Sequence, residues 1–163
     1  GQSWERPACA AEGIGVRTAL RRLGVVLTPA GGARGKLHPV FNVGLGGRVG
    51  SGCQWMSWTS IDDVVGAVYH ALLDERCHGP FNVVAPNPVT NAEFARSLGR
   101  VMHRPAMVPV PAAALRLVFG EMADATLLAR TRAAPELLLE TGYRFRHSTL
   151  ESALRHVLGR AEL

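Results

Sequence analysis

No uninterrupted apolar stretch in this sequence approaches the roughly 18 residues needed to cross a membrane. The opening GQSWERPACAAEG carries charges where a signal peptide needs an apolar region, so cytoplasmic location is the expectation. Cysteine is scarce. Cys9, Cys53 and Cys77 are odd in number and far apart, which argues against a disulfide framework and for reduced thiols. There is no C-x-x-C pair, Cys77-His78 has no second pair at ligand spacing, and the 6 histidines include no i, i+4 pair, so no metal site is expected. No G-x-S-x-G elbow occurs and nothing pairs a serine or cysteine nucleophile with a base, so no catalytic residue is assigned. Lysine is almost missing: of 18 basic residues only Lys36 is one. The net charge of +5 therefore rests on arginine, and Arg21-Arg22 is the one adjacent pair. A nucleic-acid binder would cluster such charge on a face or in a tail. Neither nucleic acid nor membrane is an expected partner, whereas a basic surface favours anionic ligands such as phosphates.

What is present suffices for a folded core. The 163 residues are 47% apolar, which suits a domain of ordinary size and excludes extensive disorder. The most fully specified stretch is Gln54 to Leu72. Trp55, Met56 and Trp58 suit a half-buried strand, and Ser60 with Asp63 three residues on resembles a capping box opening a helix. Behind it, Ile61, Val64, Val65, Val68 and Leu72 predict the buried stripe. Asp62 and Asp63 invite a reading as acid and base or as metal ligands. Adjacent helical residues point apart, so capping and helix-dipole compensation are favoured.

Trp4 to Glu12 reads as the tail of a helix, and with no initiator methionine, Gly1 is expected to lie inside a longer protein. In Val16 to Leu27 the right half, Leu23 to Leu27, reads as a buried strand, and Arg21 is awkward if that strand is covered on both faces. Thr28 to Lys36 is a loop by composition. Gly47-x-x-Gly50-x-Gly52 could pass for a phosphate-binding fingerprint. It leads into a strand and not a helix, so a glycine-rich hairpin is favoured. Phe81 to Ala85 reads as a strand, Thr90 and Glu93 as a second capping box, and Phe94, Leu98, Val101 and Met102 as the apolar side of its helix. Arg104-Pro105 stops that helix. Met107 to Pro111 is extended, short apolar helices are expected over Ala112–Phe119 and Ala123–Arg132, and Leu137 to Leu139 open a further turn. Tyr143 to Arg146 alternates as an edge strand, and Ser148 with Glu151 gives a third capping box.

Taken in order, RLGVVL, GGARGKLHPVFNVGLGGRVGSGCQWMSWTSIDDVVGA, GPFNVVAPNPVTNAEFARSLGRVMHRPA, GEMADATLL and GYRFRHSTLESAL resemble one family. It is an atypical branch of the extended short-chain dehydrogenase/reductases, labelled nucleoside-diphosphate-sugar epimerase-like. The resemblance implies an α/β fold: the C-terminal half of an NADP-binding Rossmann-like domain over residues 1–86, then a small, mainly helical domain of unknown role over 87–163. The dinucleotide loop G-x-x-G-x-x-G and the catalytic tyrosine segment of the family have no counterpart from Trp4 onward, and neither Tyr69 nor Tyr143 stands in a Y-x-x-x-K context. By resemblance Val25, Val26 and Leu27 pass close to the nicotinamide of NADP in the full-length protein, with Val26 the principal contact. Lys36, Gln54 and Trp58 likewise resemble residues lining the pocket for a small-molecule substrate. Arg21, Thr59 and Ser148 depart from the aliphatic residue, the isoleucine and the proline usual in the family. Three functions compete: part of an NADP-dependent oxidoreductase or epimerase-like enzyme, which is favoured; a non-catalytic binding or assembly module; and a nucleic-acid-binding domain. An incomplete sheet would leave an edge that recruits a second copy, so a homo-oligomer is expected.

Overall fold

The computed structural model describes residues 5, 10–29, 47–103 and 132–160. The fold is α/β. Strands β1 (Ala19–Leu23) and β2 (Val25–Leu27) follow one another across Gly24, and β3 (Trp55–Met56) and β4 (Trp58–Ser60) across Ser57. Helix α1 (Ile61–Leu73) leads to β5 (Gly79–Val83) and β6 (Val89–Thr90). Helices α2 (Asn91–Met102), α3 (Glu136–Glu140) and α4 (Leu150–Val157) complete the described residues. β1 lies parallel to β5, β2 parallel to β4, and β3 antiparallel to β6.

Gly24 is the hinge of this arrangement. A Cβ there would stand 2.5 Å from the Ser57 carbonyl oxygen and 2.9 Å from Val84 Cγ1, so only glycine lets three chain segments meet. The amide of Val25 donates to Ser57 O at 2.8 Å and that of Ala85 to Trp58 O at 2.6 Å, drawing the strands together at this point.

Arg21 causes no conflict, because β1 is exposed over Arg21, Arg22 and Leu23. The helix tail expected from Trp4 to Glu12 is described only at residue 5 and residues 10–12, which are helical. Lys36, the loop around it, Cys9 and the segment from Arg104 to Thr131 lie outside the described residues.

Among the described residues two hydrophobic cores form. The first gathers Leu27, Met56, Trp58, Phe94, Leu98 and Leu154 with their neighbours between β2, β4, α2 and α4. The second joins Ala67, Ala71, Cys77, Phe81, Val83 and Leu138, with Tyr143 and Phe145 packed against it. Each draws residues from both sides of position 86.

α1 buries Asp63, Ala67 and Ala71, while Val65 and Leu72 are 62% and 68% exposed. The small residues face the sheet because the helix lies close to it, Ile61, Val64 and Val68 of the expected stripe are half-buried, and Val65 and Leu72 are left outside. Tyr143 to Arg146 forms no strand: its alternation is real, with Tyr143 and Phe145 half-buried, but among the described residues no ladder partner lies beside it. The third cap is Thr149, not Ser148, with its side chain accepting from Ser152 N. Ser60 and Thr90 cap α1 and α2 as expected, the latter as a full capping box with Glu93.

Arg17 ties the lead-in of β1 to the far end of α1. Its guanidinium donates to the carbonyls of Ala71 at 2.8 Å, Cys77 at 2.8 Å and Leu72 at 3.3 Å. Carbonyls in the last turn of a helix have no partner within it, so an arginine from elsewhere serves as their cap.

Candidate functional site

Parallel α/β sheets bind ligands beyond the carboxyl ends of their strands. β2 and β4 finish side by side, Leu27 opposite Ser60 and Val26 opposite Thr59. Val25 and Leu27 pack on the first core, so alternation turns Val26 to the other face, where it is half-buried. Among the described residues no glycine-rich loop runs from a strand into a helix, so none of them forms a phosphate cradle. Residues 47–52 make a turn closed by Gly52 N donating to Val49 O at 3.0 Å, and then enter β3.

Gln54 stands just before β3, and Trp58 opens β4 opposite Val25. Gln54 is buried, and its Nε2 donates to Val49 O at 3.0 Å. Trp58 is wholly enclosed, its indole N–H given to Asn87 O at 2.9 Å. The one donor of the Trp58 side chain is thus already used.

The most connected polar group is Asp63. Ser60 Oγ accepts from its amide at 3.0 Å and donates to its Oδ2 at 2.7 Å. The amides of Arg146 and His147 donate to the same carboxylate at 2.7 and 3.1 Å, and the Tyr143 hydroxyl donates to Oδ1 at 3.2 Å. The carboxylate thus caps α1 and pins residues 143–147 to the helix start. Gly66, mid-helix, leaves room for the phenol, since a Cβ there would collide with the Tyr143 hydroxyl. Burial, and then the negative charge of Asp63, push the Tyr143 pKa well above the ordinary tyrosine value. The phenol therefore stays protonated and serves as a fixed donor. Four residues beyond Tyr143 stands His147, and beyond Tyr69 stands Leu73, so neither tyrosine has a lysine in the reductase position.

Capping residues announce Asp63 in the sequence, but the segment it holds lies some 80 residues away and nothing local marks it. Asp62, next to it, turns towards the histidines of the α4 region, with Oδ2 3.0 Å from His156 Nε2.

Residues 110–157 match a family model described as a domain of unknown function, DUF1731. An epimerase family protein of Mycobacterium bovis is 45% identical over 157 residues, covering 96% of this chain and 52% of the relative. The crystal structure of the human epimerase family protein SDR39U1 with NADPH superposes with a TM-score of 0.82 at 39% identity, over 90% of this chain and 50% of that one. A nucleoside-diphosphate sugar epimerase from Corynebacterium glutamicum gives a TM-score of 0.73 at 32% identity, over 97% of this chain and 30% of that one. The chain spans about half the length of the curated relatives it matches. In sequence and in fold this chain is similar to epimerase family proteins over about half of their length.

Proposed function

We propose that this chain serves as the C-terminal part of an NADP-dependent oxidoreductase or sugar-nucleotide-epimerase-like protein, and that it is inactive alone. The observation that supports this reading most is the pairing of β2 with β4, which turns Val26 outwards at the strand ends, in a chain alike to a human protein solved with NADPH. Val25, Val26 and Leu27 would border the nicotinamide of NADP, and Lys36 with the Gln54–Trp58 strand would border the small-molecule substrate. Residues 1–86 would then continue the nucleotide-binding sheet, and 87–163 form the smaller part that closes over it. The phosphate cradle and the proton donor would come from the part of the relatives that this chain does not match.

The test is titration of NADPH into the purified chain and into a chimera carrying the complementary half of the M. bovis relative. Binding by the chimera but not by the chain is the expected result, with the chimera weakened by Val26→Asp. NADPH turnover by the chain alone, or a Val26→Asp chimera that binds as before, refutes the reading.

A second reading, assembly with another copy, is favoured by the exposed apolar stripe of Val65, Tyr69, Leu72 and Leu73 on α1. Light scattering over a concentration series tests it. A dimer that Leu72→Glu disperses supports assembly, and a monomer at every concentration excludes it.

A further inference from the structure

Asp62 is remote in sequence from His147 and His156, and the three meet where the start of α1 faces the end of α4. One ligand atom from each lies within 4.8 Å of the others. His156 Nε2 stands 3.0 Å from Asp62 Oδ2, and the two imidazole rings lie 4.7 Å apart with their planes 30° from parallel. Asp62 Oδ2 is closed off from solvent, and its 3.0 Å approach to His156 Nε2 is an ion-pair contact that falls short of hydrogen-bond geometry. A buried carboxylate oxygen left in that state is costly and calls for a partner. Two stacked imidazoles cannot both satisfy it as cations without repelling one another. A single divalent ion accepts all three lone pairs at once.

We propose that Asp62, His147 and His156 form a zinc site with one open position. Two imidazoles and a carboxylate are donors that zinc takes readily, and three protein ligands with a fourth position left to water is a common zinc arrangement. His147 Nδ1 lies 3.0 Å from Ser152 Oγ. When Nδ1 donates that hydrogen bond, the lone pair rests on Nε2, which is how an outer partner fixes the tautomer of a ligating histidine. Tetrahedral zinc with bonds of about 2.0–2.1 Å holds its ligand atoms roughly 3.3 Å apart. The Asp62–His156 pair already meets that spacing, and rotation of the imidazoles closes the rest. The carbonyl end of α4, where His156 sits in the last turn, adds a favourable field for a cation. The ion would staple the first turn of α1 to the last turn of α4. Spacing rules that look for two ligands on one helix pass over this site, because its ligands come from three places in the chain.

The test uses the full chain, stripped with a chelator, dialysed and titrated calorimetrically with zinc sulfate alone. Saturable binding of one equivalent is expected, with a rise in melting temperature. His156→Gln, half-exposed and so tolerable to the fold, and His147→Gln should each weaken binding by more than about tenfold, and Ser152→Ala by about tenfold through the lost outer partner. His78→Gln, on the exposed turn after α1, should bind as the unaltered chain does. Absence of saturable zinc binding overturns the proposal. So does zinc affinity in His156→Gln and His147→Gln equal to that of the unaltered chain, which would place the metal elsewhere.

Discussion

Replacing Asp63 by asparagine should destabilise the protein by about 3 kcal/mol, a large effect for an isosteric change. Four donors converge on the carboxylate: Ser60 Oγ and the amide of His147 on Oδ2, the Tyr143 hydroxyl and the amide of Arg146 on Oδ1. Asparagine retains one oxygen and turns the other into an NH2 group aimed at donors, so one pair of hydrogen bonds is lost whichever way the amide is flipped. Hydrogen bonds to ionised groups contribute about 1.5–3 kcal/mol each, and losses within one network do not add fully. The net figure is therefore near the upper end of a single bond. In a chain of this size, about 3 kcal/mol lowers the melting temperature by roughly 6–12 °C. Tyr143→Phe removes only one donor and should cost about 1 kcal/mol. Urea denaturation of the three proteins with a common slope is the assay. An Asp63→Asn midpoint within about 1 kcal/mol of the unaltered protein would refute the hub, because the donors would then have found other partners.

Ser60→Ala removes the N-cap of α1 and should cost about 1 kcal/mol, whereas Ser51→Ala in the exposed turn should cost far less; equal melting shifts would contradict the cap. Gly24→Ala forces a methyl group onto Ser57 O and Val84 and should destabilise by about 2 kcal/mol or more; a neutral result by thermal melting would mean the strands do not converge there. The Asp74 carboxyl is lowered from 3.8 to about 2 by the hydrogen bond from the Arg76 guanidinium and then by the Arg76 amide. Its contribution is present in full above pH 3.8 and is lost as the pH falls through about 2, so Asp74→Asn should differ from the unaltered protein at neutral pH and converge with it in acid. A difference unchanged between the two pH values, measured by urea midpoints, would refute the ion pair.

Local signals carried much of this fold. Ser60 and Thr90 cap the helices they precede, since an N-cap acts within three residues and its hydrogen bond is encoded on the spot. Where two hydroxyls compete, as with Ser148 and Thr149, the choice falls to the residues before them: His147 is held to Asp63, and the helix starts one residue later. The face of α1 was less legible. Valines, leucines and alanines surround it almost completely, so periodicity cannot tell a wide stripe from the narrow one of Asp63, Ala67 and Ala71 that the sheet covers. Tyr143 to Arg146 alternates like a strand because two of its side chains face the core. Strand status, however, depends on a neighbouring ladder, which no pattern within four residues can supply. At the site, the caps pointed to Asp63, but its contacts with residues 143–147 and the approach of Asp62 to two histidines are products of tertiary structure alone.

The Arg17 clamp makes two distant openings into one. Its guanidinium reaches Ala71, Leu72 and Cys77 only when the last turn of α1 is wound, and Ala19, two residues on, pairs with Gly79 just beyond those carbonyls. Fraying of the helix end releases the arginine, and a freed arginine leaves β1 held to β5 by its ladder alone. The two elements should therefore open and close together, as one cooperative unit, although more than 50 residues of chain separate Arg17 from Ala71. Native-state hydrogen exchange gives that coupling a number: amides of 19–23 and of 70–73 should share one opening free energy, and Arg17→Ala should split them into two.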